Sequence, residues 1–452
     1  MNKLLILFIF VVSVVTGGRA YAQDSLEVAK LHDFLSQESA DSGVYNYQQL
    51  GTDNIDDENW RDYPGLTFNS YTGLLESLEW EGKKLSGNLD LSDFKALKSV
   101  YCQSNRLNSL NLSGSTALTH LECWDNNLDS LDLTTNNKLN YLCFRFNNLK
   151  AIDLSNNPLL TFLCSTKNQL DSLDLSNQTN LETGFCNNNG LKYLNISNCN
   201  LLREFSCYGN NLTELNLSNK LFLRTFKCSD NKLSSVKIIN CPNFSEFDCK
   251  DNVLDSLIIE GCESLTKLDC SNNNLDFHTL PDILPQYTDY VYYPQNKRVM
   301  EAPVDSINFK HYFEIDGVFS KFIWNDNTYP VQPLSNSDGI FSFSDIYVDK
   351  TLICRIENAL FPNLVMRYDV DLKKSNRNNN AGVSDVASFV YGGKGSIHVV
   401  AAAKADVAIY SINGAFVGRR IISDGRTDFP IKSGIYIILI DNRKCYKVIV
   451  ND

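Results

Sequence analysis

Between Leu75 and about Leu284 one 21-residue unit recurs nine or ten times. Each copy opens as L-x-x-L-x-C-x-x-N-x-L and closes as x-x-L-(D/N)-L-S. In the copy that opens at Leu118, the frame is filled by Leu121, Cys123, Asn126, Leu128, Leu131, Asp132 and Leu133, with Thr134 in the last slot. The openings fall at Leu75, Leu97, Leu118, Leu139, Leu160, Leu181, Leu202, Leu223, Phe244 and Leu265; after one 22-residue step every interval is 21. A unit this short cannot enclose its own apolar residues, so the copies must stack and bury them against one another. The chain is therefore expected to form an elongated stack of coils, which presents surfaces more readily than clefts.

Numbering each coil from its opening residue, slots one, four, six, eleven, fourteen and sixteen are apolar and predicted to face inward. Slots three to seven alternate, as in a short strand with one buried face. The second L-x-L run (Leu131/Leu133, Leu173/Leu175, Leu215/Leu217) predicts another short parallel strand on the opposite wall. Slot nine is Asn in nine of the ten coils: Asn105, Asn126, Asn147, Asn168, Asn189, Asn210, Asn231, Asn252 and Asn273. Such a column reads as a ladder of amides satisfying backbone groups that tight turns leave unpaired. Asn187, in slot seven, is expected to point outward with no such duty.

Cysteine placement follows the same frame. Fourteen cysteines would ordinarily suggest disulfides in an exported chain. Seven of them (Cys102, Cys123, Cys186, Cys207, Cys228, Cys249 and Cys270) share inward slot six, where a free thiol serves as a small apolar residue. Strands stacked about 4.8 Å apart lie within disulfide range, but in-register parallel neighbours point the same way and suit the required torsion poorly. Free core thiols are expected. Cys143 and Cys164 break the rule by occupying slot five, leaving Phe144 and Ser165 in the core slot. They are predicted to be adjacent and exposed, and are either a drifted pair or a redox-sensitive one. Cys199, Cys241 and Cys262 share slot nineteen, expected on the outer wall, with Lys220 between the first two.

The repeat resembles that of internalin-like leucine-rich repeat proteins of Gram-negative bacteria. The fold expected is mainly β: a leucine-rich repeat solenoid of about ten 21-residue coils, followed by two small β-sandwich domains. Residues 23–74 form a cap, and "WRDYPGLTF" resembles the N-terminal caps of such proteins. The repeats span 75–285. Residues 286–373 alternate aromatic and polar residues and resemble the immunoglobulin-like segments that follow leucine-rich repeats in some surface proteins, Trp324 and Cys354 matching that fold's Trp and one Cys. Residues 374–385 ("KKSNRNNNAGVSD" from Lys373) form a polar linker. Residues 386–452 resemble the type A sorting domains of the type IX secretion system, through Tyr410 with Gly414, Gly434-Ile435-Tyr436 and Lys447-Val448. Tyr391-Gly392-Gly393 stands where that family opens on N-P. This resemblance implies the secretion machinery as a partner.

The N-terminus reads as a signal peptide over 1–22: Lys3, an apolar run from Leu4 to Val15, and the small-residue site Ala20-Tyr21-Ala22. The run is too short for a bilayer-spanning helix, and no Cys follows the cut to take a lipid. The chain is expected to be exported, at the outer-membrane surface or extracellular, and not transmembrane. A formal charge of -12 argues against nucleic acid as a ligand. His32, His120, His278, His311 and His398 are scattered outside metal-ligand spacings, and no nucleophile or phosphate-binding motif occurs, so no catalytic residue, metal or cofactor is expected. The Asp column (Asp132, Asp153, Asp174) is read as strand-end residues, since calcium needs several oxygens from one loop.

Slots three, five, seven and eight fall on the concave face. There the coils from Leu97 to Leu202 place Tyr101, His120, Trp124, Tyr141, Phe146, Phe162, Phe185 and Tyr208. The next three place Lys227, Asp230, Glu246, Asp248, Lys250, Asp251, Lys267 and Asp269. An aromatic cluster on a surface suits a binding site; it would equally serve to shield the sheet. Two functions remain in view. One is recognition or adhesion through this face, with a protein or polysaccharide ligand, host-derived ones included. The other is a structural cell-envelope spacer without a dedicated ligand.

Overall fold

The structure, a computed structural model, describes residues 25–55, 60–374, 388–393, 395–401, 405–412, 415–423, 425–440 and 444–450. The expected signal peptide, Gly414 and all but the first residue of the expected linker lie outside them. The chain divides into two units, residues 1–375 and 376–452.

The first unit is built on a 12-stranded sheet. Its strands from Leu75–Glu79 to Asp289–Val291 run parallel and in register, one per coil, so that Leu142 pairs with Leu163 and Cys143 with Cys164. Strand residues alternate as predicted, with slots four and six inward: Leu121, Leu142, Leu163, Phe205 and Cys207 are fully or almost fully buried. The N-terminal end is closed by reversal of direction. Leu66–Phe68 pairs antiparallel with Leu75–Glu79, and the helix Ser25–Leu35 lays Leu31, Phe34 and Leu35 over the first coil, Phe34 stacking on Trp80 at 5.8 Å. The sheet runs one strand beyond residue 285, because Asp289–Val291 still pairs with Lys267–Asp269.

The slot-nine asparagines form the predicted ladder. The Asn126 amide donates to the carbonyl of Cys123 in its own coil (3.1 Å) and to that of Cys102 in the coil before (3.0 Å), while its Oδ1 accepts the Leu107 N–H (2.9 Å). The same bonds recur down to Asn273, and Gln295 then supplies a terminal rung, accepting from Leu275 N–H and donating to Cys270 O. Each amide thus ties two coils together.

A second ladder occupies slot nineteen. Ser115, Asn136, Asn157, Gln178, Cys199, Lys220 and Cys241 are buried, and each reaches back to the carbonyl that ends the preceding coil's second apolar run (Leu91, Leu112, Leu133, Leu154, Leu175, Ile196 and Leu217) at 2.6–3.2 Å. Cys199, Cys241 and Cys262 are therefore inside rather than on the outer wall. The slot needs a donor and not a particular residue type. Lys220 meets it with an ammonium that desolvation holds below the ordinary lysine pKa. Asn187 also departs from expectation: it is buried, its Oδ1 accepting from Ser206 Oγ (2.6 Å) and Tyr208 N–H (3.1 Å).

The opposite wall pairs as strands only at Ser86–Asp90 with Arg106–Asn111, Ser172–Asp174 with Tyr193–Asn195, and Ser235–Ile239 with Ser256–Glu260. Leu131/Leu133 lie outside any strand, and Asn216 makes a single bridge with Lys237. The slot-fifteen carboxylates close turns here. Asp132, Asp153 and Asp174 each accept the N–H two residues on, at 2.8–2.9 Å. The side-chain and backbone bonds from Thr134, Ser155 and Ser176 lower all three carboxyl pKa values.

Beyond the coils, a four-stranded sheet (Arg298–Pro303, Val365–Lys373, Thr351–Glu357, Lys321–Asn325) is accompanied by a three-stranded one (Ile307–Asn308, Ile340–Ser342, Ser335–Ser337). Trp324 sits opposite Cys354 across the first and packs on Phe309, Phe341 and Phe343. This region shares one apolar core with the solenoid. At the join, Arg298 bonds Asp276 (3.2 Å) and the Tyr312 and Tyr368 hydroxyls (2.8 and 2.9 Å), and Tyr312 donates to Asp276 (2.9 Å). The second unit has its own core around Ile397, Val407, Ile438 and Ile440, between a three-stranded and a four-stranded antiparallel sheet. No helix among the described residues is long and apolar enough to cross a membrane.

Two outcomes test this account. Asn168 makes three ladder bonds, to Phe144 O, Ser165 O and Leu149 N–H, so Asn168→Leu should cost about 1–3 kcal/mol in chemical denaturation, against about 0.5 or less for exposed Asn148→Leu. Equal losses would dissolve the ladder's role. Carboxyls with lowered folded pKa values stabilise above their unfolded pKa, near about 4, and lose that contribution as pH falls through the folded values. Melting temperature should therefore decline in acid below about pH 4, and less steeply once Asp132, Asp153 and Asp174 are all Asn.

Candidate functional site

The concave face is set by the pleat of the parallel strands: with slots four and six inward, slots three and five stand outward on every coil. In-register pairing then brings equal slots into columns at strand spacing, which stacks the slot-three rings of His120, Tyr141 and Phe162; Tyr101 and Phe185, at slot five of the flanking coils, extend that stack diagonally at its two ends. Ring centroids are 4.9 Å apart for Tyr101–His120, 4.1 Å for His120–Tyr141, 4.4 Å for Tyr141–Phe162 and 6.0 Å for Phe162–Phe185. The two central pairs are nearly coplanar in orientation, at 8° and 4°. Their faces are consumed by one another and their edges turn to solvent. All five rings are half-buried.

Trp124 is braced beside this stack. Its Nε1 donates to Glu122 Oε2 (3.0 Å), Glu122 Oε1 meets His120 Nε2 (3.1 Å), and the Arg145 guanidinium lies over the indole at 4.5 Å. Phe146 and Tyr208 are the most open of the eight, at 40% and 38% exposure. Phe146 is flanked by Lys167 at 4.8 Å from its ring and Arg145 at 5.6 Å. Its backbone is left-handed, φ 55°, as slot eight is on coil after coil. Elsewhere that slot holds Ser104, Asp125, Lys167, Asn188, Gly209, Asp230, Asp251 and Asn272. Several of these types tolerate the conformation well; a bulky aromatic residue does not.

Cys143 and Cys164 are brought side by side, as expected, but not exposed: they are 5% and 7% accessible, covered within the aromatic surface. In the charged half, Glu246 is paired with Lys227 (3.2 Å) and Lys267 (3.9 Å), and the Asp251 carboxylate accepts from Asn272 (2.7 Å). Asp248 is held above the usual carboxylate range by burial, though Ser229 Oγ (3.2 Å) and Lys250 N–H (3.3 Å) donate to it. Asp269 accepts from Ser271. Glu246 is thus ion-paired with lysines, whereas Asp248, Asp251 and Asp269 are held by neutral donors.

Chemistry-bearing side chains elsewhere were invisible to sequence spacing. His398 stands between Asp428 (Nδ1 to Oδ1, 2.8 Å) and Ser396 (Nε2 to Oγ, 3.1 Å), the Asp arriving from a paired strand thirty residues on. That connectivity activates a serine in hydrolases, where the carboxylate is buried. Here Asp428 is half exposed, so water shares its charge and the cluster acts as a cross-strand clamp. Among the described residues no group of three or more His, Cys, Asp or Glu could hold a metal ion. Clefts of about 420 Å³ at Leu257–Tyr287 and about 380 Å³ beside Trp324 lie away from the aromatic face.

The fold and this ladder-backed sheet define a leucine-rich repeat solenoid. Among solved structures, the functional domain of InlJ from Listeria monocytogenes, described as including a cysteine ladder, is similar at 19% identity and a TM-score of 0.54, over 65% of this chain and 66% of that one. The chain thus spans slightly under two thirds of that protein, and the likeness is one of fold. YopM from Yersinia enterocolitica aligns at 21% identity and a TM-score of 0.33, over 47% of this chain and 54% of that one. YopM from Yersinia pestis aligns at 26% and 0.30, over 47% and 62%. Residues 377–450 match a family model described as a domain of unknown function, DUF6383. No curated protein matches the sequence.

Stacked rings stabilise what they cover. Tyr141→Ala, which opens the middle of the column, should lower stability by about 1–2 kcal/mol. An unchanged denaturation midpoint would show that the stack contributes nothing to the fold.

Proposed function

We propose that this protein is a recognition module that binds a protein ligand through the aromatic half of its concave face, at the cell exterior. The observation that carries this is Phe146. A left-handed backbone costs a bulky side chain about 1–2 kcal/mol, yet this turn holds Phe at 40% exposure where six of the eight other coils that share the slot hold Asn, Asp or Gly and the remaining two hold Ser104 and Lys167. A spacer gains nothing from an exposed aromatic ring on a strained residue; a binding surface gains an anchor. Tyr208, 38% exposed on a later coil, provides a second anchor, and the half-buried stack beside them forms a firm apolar floor.

The edge-on orientation of that floor favours a protein ridge over a polysaccharide. A sugar ring stacks on an open aromatic face, and the central faces are already occupied by neighbouring rings. The charges of the lower coils, among them Glu246 paired with Lys227 and Lys267, suit orientation of the partner. Export is inferred from the signal-like residues 1–22, and the C-terminal unit is proposed to address the chain to its secretion machinery. The spacer reading has one observation in its favour, the single core shared by solenoid and sandwich.

The discriminating experiment is a protein-ligand screen on the full chain, followed by Phe146→Asn and Tyr208→Ala. Phe146→Asn should weaken binding at least tenfold while leaving stability unchanged or raising it by up to about 1 kcal/mol. A ligand bound equally by wild type and both variants would move the site off this face.

A further inference from the structure

We propose that Cys164 is a modification site for small hydroperoxides, with Cys143 as its resolving thiol. Most repeat thiols lie at inward slots and are locked by packing. In two successive coils the cysteine has moved one slot outward, in step, with Phe144 and Ser165 filling the core in its place. The register sets the two thiols directly opposite each other. Parallel strands lie about 4.8 Å apart, within the Cα separation that a disulfide spans.

The surroundings favour a thiolate. Arg145 lies in slot seven of the Cys143 coil, its guanidinium spread over Trp124, with a buried Nε–H that has no hydrogen-bond partner. The proton shared with Cys143 lowers the Cys164 pKa; contacts with Thr166 and the charge of Arg145 lower it further, against the opposing effect of burial. A cysteine with a cationic neighbour, a depressed pKa and a second thiol alongside is the arrangement of peroxide-sensing sites. Accessibilities of 5% and 7% admit a small oxidant and hold out a bulky one, whereas Cys207 and Cys228 are fully enclosed. In the slot-nineteen pair, Cys241 is engaged as ladder, donating to Leu217 O at 3.2 Å, and Cys262 donates to Glu260 O at 3.5 Å.

The chemistry proceeds in two steps. The Cys164 thiolate attacks the terminal oxygen of the hydroperoxide; an S–O bond forms, the O–O bond breaks, and the alkoxide or hydroxide leaves and takes up a proton. Cys164 is thereby oxidised to sulfenic acid and the peroxide reduced. The Cys143 sulfur then attacks that sulfenic sulfur; the S–S bond forms, the S–O bond breaks, and hydroxide departs with the Cys143 proton as water. The product cross-links the strands bearing Tyr141 and Phe162, in the middle of the aromatic surface.

The test is hydrogen peroxide at low equivalents on the full chain, with disulfides and sulfenic acids mapped by peptide mass spectrometry. The Cys143–Cys164 disulfide should form at least tenfold faster than any oxidation at Cys207, Cys228 or Cys241. Cys143→Ser should stop at a sulfenic acid on Cys164, trapped by a cyclic diketone, and Arg145→Met should slow the first step severalfold with the fold intact. Oxidation of Cys164 no faster than that of Cys207, or a Cys143→Ser chain without trappable sulfenic acid at Cys164, overturns the proposal. Neither readout depends on any ligand of the concave face.

Discussion

Each coil of this solenoid turns a corner directly after a short strand, three residues long in all but the first, and the backbone groups at that corner face the interior. Nothing else in the fold is possible until they have partners, because an unpaired amide or carbonyl there costs about as much as a core methylene or more. The slot-nine amide answers this with two donors and one acceptor, spread over two adjacent coils. The bonds that satisfy one turn therefore also fix the register of the next, and a stack of short weak units becomes cooperative. The strict 21-residue interval follows: an insertion would move the amide off its carbonyls.

That dependence explains what was legible in the sequence. Asn126 and its equivalents have few substitutes, since an amide that both donates twice and accepts is required, so the column shows as an invariant letter. The inward slots show as apolar period, and the aromatic half of the concave face follows once the frame is known. The slot-nineteen ladder obeys a looser rule. Any side chain that can donate to one carbonyl will serve, so Ser115, Asn136, Gln178, Cys199 and Lys220 share a function without sharing a type. A column defined by one donor is invisible to residue-type matching, which is why those cysteines read as surface. Asn187 departs from its slot's expectation for a related reason: an outward residue on this sheet is not thereby exposed, and Asn187 is buried against Ser206 and Tyr208 of the next coil.

Covering is also what shapes the aromatic site. Strand spacing is close to the thickness of stacked rings, so residues in one column meet face to face whether or not a ligand exists. His120, Tyr141 and Phe162 are in that sense sheet-shielding residues as well as surface ones. The residues that escape this explanation lie past the strand, at slots seven and eight, where no neighbouring ring occupies them. Phe146 and Tyr208 are of this kind, and Trp124 is only partly so because Arg145 lies over it.

The two ends of the stack show how such a surface is kept in one geometry. An open terminal coil would expose both an apolar cross-section and an unpaired strand edge. At the start, Leu66–Phe68 pairs with the first strand in the opposite direction and Trp80 is roofed by Phe34. At the finish, the ladder is completed by Gln295, outside the repeat pattern, and the adjoining sandwich is tied to the last coil through Arg298. Arg298 also reaches Tyr312 and Tyr368, so the last coil's Asp276 is held by a cation and a hydroxyl drawn from the sandwich as well as by the His278 N–H of its own segment. Burial of that carboxylate would oppose its charge, yet the His278 N–H, the Tyr312 hydroxyl and Arg298 together hold its pKa below the ordinary value. The sandwich is accordingly the solenoid's C-terminal cap as well as a domain beside it, and the concave face is built on a body closed at both ends.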